Sequence, residues 1–419
     1  MKLYKTYKIQ IEYDSQEKLE KLQEYWFKLV NTVVKMTVRL GTANNLELQN
    51  KLYSILRKYT QEKWNLHSYY LPSAFKAGSE MVRACIEACK SNCRTRFPTV
   101  SKDLPISLTT NTVKFQEENG NIYAYIAFQP HNPIKVKLNF PRNIGYYQEL
   151  NLALQNKVFR IKGVKLLKRN SEWFLYVSVE KEIIIPCWEH CETLIGVDIG
   201  MNYLAVATAV SRDLRTIHST LYIKGKLWKH LQRYKRSKVR KIQSKDGNTE
   251  GIYTYYNERF KEILNDTANK VINYAKQYSK PLIVLGNLKG IIKSKNHSKF
   301  FTFLLSNWQR RQLKQLIEYK AFWNGIPVRY VNEYYTSITC HNCGNSGKRE
   351  GTLFYCPKCN KKFNADGNAS INIALRGSNF SDDKSMDDRR RTSELISSVG
   401  AGSPMPQASF CLTGQERCN

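Results

Sequence analysis

The chain has 419 residues, which is long enough for two or three domains. Lysine and arginine outnumber aspartate and glutamate by 66 to 35, so the formal net charge is +31. Such an excess repels itself unless a polyanion binds it, which favours nucleic acid as the partner. No long apolar run indicates a membrane span, and no signal peptide is apparent. We expect an intracellular protein, in the cytoplasm or nucleoid of a prokaryote or the nucleus of a eukaryote.

The N-terminal part predicts one strand followed by helices. Residues 3–12 alternate polar and apolar side chains as a strand does, and Asp14 with Glu17 resembles the capping box of a long amphipathic helix. A second helix is predicted at roughly 72–94. It carries three cysteines at a spacing of four residues: Cys85, Cys89 and Cys93. Three thiols in line could hold a metal ion, but we interpret them as small buried apolar residues.

The pattern changes between about 105 and 185 to short alternating runs separated by Asn, Gly and Pro. These runs predict a β-barrel or sandwich that the N-terminal strand joins. The next segment, LIGVDIGMNYLAVATAV at 194–210, predicts a buried strand, a turn and a second strand. Asp198 ends the apolar run, where a carboxylate is costly unless a metal ion or a partner neutralises it.

A strongly basic helix with interleaved aromatic residues is predicted at 224–245. A solvated helix face and a nuclear-import signal are two interpretations, but with this net charge we favour contact with phosphates. A second basic helix is predicted at 300–323. The candidate nucleic-acid contacts on the two helices are Lys229, Arg233, Lys235, Arg236, Arg240, Arg310 and Arg311.

Two CxxC pairs follow the predicted strand at 328–334, and twelve residues separate them. The four cysteines are Cys340, Cys343, Cys356 and Cys359. Thiolates paired in this way predict one closed, tetrahedral, structural Zn²⁺ site. With four cysteines present, we interpret His341 as a surface or phosphate-facing residue rather than a ligand. A helix rich in small residues is predicted to begin near Asp366, and the residues beyond Gly377 have the composition of a disordered tail.

Six segments between about residues 190 and 377 resemble the RuvC motifs and zinc ribbon of TnpB: GVDIGMNYLA, LIVLGNLKGI, EYKAFWNGI, YYTSITCHNCG, FYCPKC and NADGNASINIAL. TnpB proteins are transposon-encoded, RNA-guided nucleases related to the eukaryotic Fanzor proteins and the compact type V CRISPR effectors. The resemblance implies an α+β multidomain fold in which a β-barrel with a helical insertion precedes an RNase H-like α/β domain. The implied segments are a wedge-type barrel (1–12 and 105–188), a helical recognition domain (13–104), a RuvC nuclease domain (189–335 and 363–380), a zinc-ribbon target-nucleic-acid-binding domain (336–362) and a tail (381–419).

The resemblance also implies a function and a catalytic site. The partners would be an omega-type guide RNA and target double-stranded DNA, cut beside a short flanking motif. The cofactors would be the guide RNA, structural Zn²⁺ and two Mg²⁺ ions, one activating a water and the other stabilising the leaving oxygen. Carboxylates from separate elements would hold those two ions, and the candidate residues are Asp198, Glu333 and Asp366.

One position departs from the family pattern. Family members usually carry Glu in the second RuvC motif, followed by Asp-Leu, whereas this chain has Gly286, Asn287 and Leu288. Glu333 ends the neighbouring predicted strand, and adjacent strands lie ~4.8 Å apart, so its side chain can reach the same point. Gly286 also removes the side chain that would block the path. We therefore predict an active site with a relocated glutamate.

Two other functions compete with the nuclease. If Glu333 is an ordinary strand-end residue, the protein is an RNA-guided DNA-binding protein that does not cleave, as a repressor would be. A single-strand transposase would need a His-hydrophobic-His motif with a downstream Tyr nucleophile, which we do not find in the sequence. We therefore favour the nuclease.

Overall fold

The computed structural model describes residues 1–91, 98–140, 144–154, 160–245, 247–287 and 309–378. Three expectations fall outside these ranges: the helix before residue 309, Cys93 and the tail at 381–419. The chain forms two compact units, Lys2–Glu182 and a second that begins at Ile183 and includes Met1. Among the helices within these ranges, none is both long and apolar enough to cross a lipid bilayer.

The first unit is built on a seven-stranded antiparallel sheet with the order β2-β6-β7-β1-β5-β4-β3. Its strands are β1 (Lys2–Tyr13), β2 (Ile106–Leu108), β3 (Val113–Glu118), β4 (Asn121–Gln129), β5 (Asn132–Asn139), β6 (Arg160–Arg169) and β7 (Glu172–Glu182). Its helices are α1 (Gln16–Arg39), α2 (Asn45–Trp64), α3 (Leu71–Ser91) and α4 (Ile144–Leu154). The expected barrel-like sheet is present, and the N-terminal strand β1 lies at its centre.

The sheet and the helices of this unit share one apolar core. In β4 the buried residues alternate, from Ile122 to Phe128, as a strand with one packed face requires. On α1 the predicted stripe, which includes Leu22 and Trp26, is buried in the same core. The predicted capping box is wrong in detail, because Ser15 caps this helix and accepts a hydrogen bond from the Lys18 amide.

The second unit contains a five-stranded sheet with the order β10-β9-β8-β11-β12. Its strands are β8 (Thr193–Asp198), β9 (Tyr203–Ser211), β10 (Ile217–Lys224), β11 (Pro281–Asn287) and β12 (Val328–Asn332). Its helices are α5 (Lys226–Gln243), α6 (Glu250–Ala275), α7 (Arg310–Trp323) and α8 (Ala365–Ser378). Strands β8, β11 and β12 are parallel, whereas β9 and β10 are antiparallel to their neighbours. This is the expected RNase H-like α/β arrangement.

Helices cover both faces of this sheet. Residues such as Ile195 and Leu285 face α6 and α7, and residues such as Leu194 and Val284 pack against α8. Helix α8 lies unusually close to β8, because a Cβ atom built on Gly196 would come within 2.1 Å of the Ser370 carbonyl oxygen. The small residues predicted for this helix permit that approach, which brings the first turn of α8 to the end of β8.

A small three-stranded antiparallel ribbon joins β12 to α8. Its strands are β13 (Lys348–Glu350), β14 (Leu353–Cys356) and β15 (Lys361–Asn364). Phe354 is fully buried beside Cys340 and Cys356 and forms the centre of this ribbon. The ribbon therefore has its own small core, and its strand β15 runs directly into α8.

Candidate active site

The three predicted carboxylates come from three elements of the second unit. Asp198 is the last residue of β8, Glu333 follows β12 directly, and Asp366 lies in the first turn of α8. Because β8 and β12 are both parallel to β11, these strands end at the same edge of the sheet. The structure thus brings the ends of β8 and β12 and the first turn of α8 to the same edge of the sheet.

The carboxylates also interact electrostatically. Burial, followed by the negative charges of Asp366 and Glu333, raises the pKa of Asp198 from its ordinary value of 3.8 to about 7, although Arg310 and Arg349 oppose the shift. Mutual repulsion of this kind arises only between charges that lie close together. The site therefore favours the binding of a positive charge.

Glu333 occupies the space beside Gly286. A Cβ atom built on Gly286 would lie 1.7 Å from Cγ of Glu333 and 2.0 Å from its Cδ and Oε1 atoms. The strand register pairs Gly286 with Val331. Glu333 lies two residues after Val331, just beyond the end of β12, and its side chain reaches back toward β11. A side chain at position 286 and Glu333 in this conformation exclude each other.

Two cations of α7 hold the Glu333 carboxylate, whose side chain is only 4% exposed. Arg310 Nη2 donates a hydrogen bond to Oε2 at 2.5 Å, and Lys314 Nζ donates one to Oε1 at 3.2 Å. Lys314 Nζ also donates to the Gly286 carbonyl oxygen. Arg310, predicted as a nucleic-acid contact, is thus engaged with a carboxylate, while its Nε atom is buried without a hydrogen-bond partner.

Asp366 is positioned by its own helix and by the ribbon. Asn364 Oδ1 accepts hydrogen bonds from the backbone amides of Asp366 and Gly367 at 3.1 and 3.0 Å and thereby caps α8. Arg349 of β13 donates a hydrogen bond from Nη2 to Asp366 Oδ1 at 2.6 Å. Both Glu333 and Asp366 therefore have a guanidinium group as a partner.

Sequence reasoning missed Lys314 and Arg349. One signal was available for Lys314, because it lies four residues after Arg310 on a predicted helix and so shares its face. Arg349 offered no comparable signal, since only the folding of the ribbon brings β13 against the start of α8.

The fit to Mg²⁺ rests on the chemistry of the donors. Carboxylate oxygens are the ligands that Mg²⁺ prefers, and a two-metal site distributes them around ions ~3.5–4 Å apart. Among the described residues, only the four ribbon cysteines place three or more potential ligand atoms all within 4.8 Å of one another. The carboxylates thus form no compact cage for one ion, and arginines pair with two of them. The three carboxylates nevertheless offer oxygen ligands, and a divalent cation would relieve the repulsion between their negative charges.

The four cysteines fit a zinc ion closely. Their Sγ atoms all lie within 4.8 Å of one another, with Cys340 and Cys359 3.9 Å apart and Cys343 and Cys356 3.6 Å apart. A tetrahedral site with Zn–S bonds of about 2.3 Å places its sulfurs about 3.8 Å apart. The four sulfurs therefore have the spacing that a tetrahedral zinc site requires, as in zinc ribbons.

Two buried asparagines of α8 connect this helix to the segment that leads from β12 into the ribbon. Asn368 Nδ2 donates to the Thr339 carbonyl at 2.7 Å, and Asn372 Nδ2 donates to the carbonyls of Thr336 and Thr339. Asn368 Oδ1 also lies 2.9 Å from Nδ1 of His341. The chain between Glu333 and the first zinc knuckle is thus tied to the helix of Asp366, and His341 is part of that contact.

The basic helix α5 divides into an exposed and a packed face. Arg233, Arg236 and Arg240 line one groove with Ser237 and Lys241. Lys229 Nζ donates to Asn202 Oδ1 at 2.6 Å, and Arg311 of α7 is exposed.

Lys235 does not belong to the exposed face, so its assignment as a nucleic-acid contact needs correction. It is only 8% exposed, and its ammonium group lies 4.5 Å from the centre of the Tyr253 ring of α6. Burial lowers the pKa of Lys235. Its methylene chain and ammonium group therefore pack α5 against α6.

Known proteins resemble this chain in both sequence and fold. Residues 311–373 match the model of the Cas12f1-like TNB domain. A TnpB-like protein of Aquifex aeolicus is 25% identical over 249 residues, which cover 54% of this chain and 81% of that protein. The CRISPR-associated endodeoxyribonuclease Cas12f2 of a Micrarchaeota archaeon is 26% identical over 307 residues, which cover 65% of this chain and 54% of that protein.

The solved structures include a related fold. In a cryo-EM structure of a Cas12f1–sgRNA–target DNA complex, the protein aligns with a TM-score of 0.58 and 18% identity, covering 85% of this chain and 82% of that one. This chain therefore shares a fold with that protein.

Proposed function

We propose that this chain, which belongs to the family of TnpB-like proteins and compact type V effectors, is an RNA-guided DNA endonuclease. Several relatives are named as CRISPR-associated endodeoxyribonucleases, which supports nuclease activity. In this proposal the catalytic carboxylates are Asp198, Glu333 and Asp366. The observation that carries it is the Glu333 side chain lying in the space beside Gly286.

The partners of Glu333 also support a functional role for its carboxylate. Burying a carboxylate is costly unless charged partners compensate it, and Glu333 has both Arg310 and Lys314. A chain that had merely lost the glutamate of β11 could leave an ordinary apolar residue at position 333. Instead, Glu333 is buried beside the end of β11, and two cations compensate its charge. This arrangement supports a relocated catalytic glutamate.

The chemistry follows from the residues that converge on this edge. Bound Mg²⁺ would supply an activated water and would stabilise the leaving oxygen of the scissile phosphate. Asp198, Glu333 and Asp366 would hold the ions, and Glu333 and Asp366 are both buried. Arg310 and Arg349 each pair with one of these carboxylates, and in a substrate complex the same guanidinium groups would bind the phosphate instead.

The partners in this proposal are a guide RNA of the omega type and a double-stranded DNA target beside a short flanking motif. The related solved complex contains an sgRNA and target DNA, which supports both partners. Base pairing would select the sequence, while the protein would contact backbones, in part through the groove of Arg233, Arg236 and Arg240. The first unit would supply the wedge and recognition domains with the boundaries expected above, and the cysteine cluster would hold structural Zn²⁺.

Moving the glutamate from position 333, after β12, to position 286 of β11 tests the proposal. We expect purified ribonucleoprotein with Mg²⁺ to cut a target plasmid, and Glu333→Ala to lose cleavage while it retains target binding. Gly286→Glu alone should also fail, because both side chains compete for one space. The double variant Gly286→Glu/Glu333→Ala should recover cleavage, since it places one carboxylate at the same point from β11.

The control for this experiment is Glu258→Ala, which removes an exposed carboxylate of α6 in the same unit. It should cut like the wild type. If Glu333→Ala also cuts like the wild type, the relocated glutamate is wrong even though the protein is a nuclease.

A second candidate function is RNA-guided DNA binding without cleavage. Gly286 in the second RuvC motif and the pairing of Glu333 with two cations favour it. In that case the wild-type ribonucleoprotein binds its target and leaves it uncut with Mg²⁺ or Mn²⁺, and Asp198→Ala changes nothing.

A further inference from the structure

The Lys314 side chain forms hydrogen bonds with both the Glu333 carboxylate and the backbone of Gly286. Its Nζ atom donates to the Gly286 carbonyl oxygen at the end of β11 and to Glu333 Oε1, 3.2 Å away. The lysine side chain is 14% exposed, so little water competes for these bonds. One ammonium group therefore joins the ends of two neighbouring strands.

A glutamate just after β12 needs a hydrogen bond of this kind more than a glutamate within β11 would. Position 286 lies within β11, which pairs with β8 and β12 and is buried over most of its length. Glu333 follows the last residue of β12, and three side-chain torsions separate its carboxylate from the backbone. Without a fixed donor, its oxygens would vary in position relative to Asp198 and Asp366.

We propose that Lys314 is a positioning residue for Glu333, which it tethers to the Gly286 carbonyl so that the carboxylate stands where a glutamate of β11 would otherwise stand. This inference rests on the proposed catalytic role of Glu333. Lys314 holds Oε1. A metal ion would then bind Oε2 in place of the Arg310 guanidinium group.

Arg310 cannot provide the same tether. Arg310 donates a hydrogen bond to Glu333 Oε2, and among the described residues no hydrogen bond joins it to β11. Its Nε atom has no hydrogen-bond partner. Arg310 therefore neutralises the carboxylate, whereas Lys314 determines where the carboxylate lies relative to β11.

The test compares Lys314→Met in two backgrounds. In the wild-type chain, it should slow single-turnover cleavage about 100-fold, the loss expected from misplacing a catalytic group, with target binding little changed. Lys314→Arg should restore most of the rate, because it keeps a donor of the same charge. In the Gly286→Glu/Glu333→Ala background, Lys314→Met should have little effect, since β11 itself then carries the glutamate.

A matched control is Lys320→Met, which removes an ammonium group from the same helix at a position where it donates a hydrogen bond to Asn269 Oδ1. It should leave the rate unchanged. Equal losses from Lys314→Met in both backgrounds would overturn the tether, because the lysine would then serve the fold or the substrate in general.

Binding of Mn²⁺, measured by electron paramagnetic resonance on the protein without nucleic acid, gives a second readout. Loss of a residue that orients a metal ligand typically weakens binding by about 10-fold or more, and we expect this of Lys314→Met in the wild-type background only. If the wild-type protein cuts no target, the proposed function fails, while this measurement still decides the role of Lys314. Unchanged Mn²⁺ affinity would contradict the tether.

Discussion

Arg349 of the zinc ribbon donates a hydrogen bond of 2.6 Å to Asp366, the carboxylate at the start of α8. The ribbon therefore contacts the candidate active site directly. Because the ribbon is inserted between Glu333 and Asp366 in the sequence, its folding affects how these two carboxylates face each other.

Replacing Arg349 should separate its structural role from competition with a metal ion. We expect Arg349→Met to destabilise the metal-free protein by about 1 kcal/mol, since a largely buried carboxylate loses its hydrogen bond. The same change should tighten Mn²⁺ binding, because no guanidinium then competes for Asp366. Thermal unfolding with and without Mn²⁺ measures both effects. Weaker Mn²⁺ binding would show that Arg349 orients Asp366 for the metal instead.

Asp198 should make the metal-free protein less stable at high pH. Its pKa is about 7 in the folded protein and near its ordinary value of 3.8 in the unfolded chain. The folded state therefore binds the proton more tightly between these values, and the stability contributed by this group is lost as pH rises from about 4 to 7.

Asp198→Asn removes this pH dependence. In the presence of a chelator, the variant should unfold at a higher temperature than the wild type at pH 8, and the difference should shrink toward pH 5. The melting temperatures of both proteins at these two pH values provide the measurement. A constant difference would mean that ionisation of Asp198 is not its cause.

Loss of zinc should act on the ribbon before it acts on the sheet. Cys356→Ser removes one of four thiolates around a cluster whose apolar surroundings are small. Hydrogen exchange should become faster in residues 336–364, because zinc binding supplies much of the folding energy of such modules.

Strands β8 and β11 should keep their protection in this variant, because their core lies among α6, α7 and α8. Equal loss of protection in these strands would contradict an independently stabilised ribbon.

The two faces of α5 should respond differently to substitution. Arg240→Ala removes an exposed cation, so we expect weaker nucleic-acid binding and a salt-dependence slope reduced by about 1. Lys235→Ala should instead lower the melting temperature, since it removes the packing against Tyr253 and Phe260, and leave that slope unchanged. Fluorescence anisotropy at several salt concentrations distinguishes the two. A reduced slope for Lys235→Ala would return it to the binding surface.

Much of this protein was determined by local patterns in its sequence. The spacing of four cysteines predicted the metal cluster because two CxxC pairs suffice to surround one ion. An apolar strand ending in Asp198 and a helix beginning near Asp366 predicted the RNase H-like elements, since hydrophobic periodicity reflects which faces are buried. The net charge predicted a polyanionic partner because it depends on composition alone.

Only the tertiary structure decided how distant residues are paired. That Glu333 lies beside Gly286 depends on the register of β11 and β12, and its contacts with Arg310 and Lys314 depend on where α7 packs. Burial of Lys235 depends on which face of α5 meets α6. Arg349 reaches Asp366 only because the ribbon folds back on α8. These contacts join residues far apart in the chain, so no local pattern in the sequence encodes them.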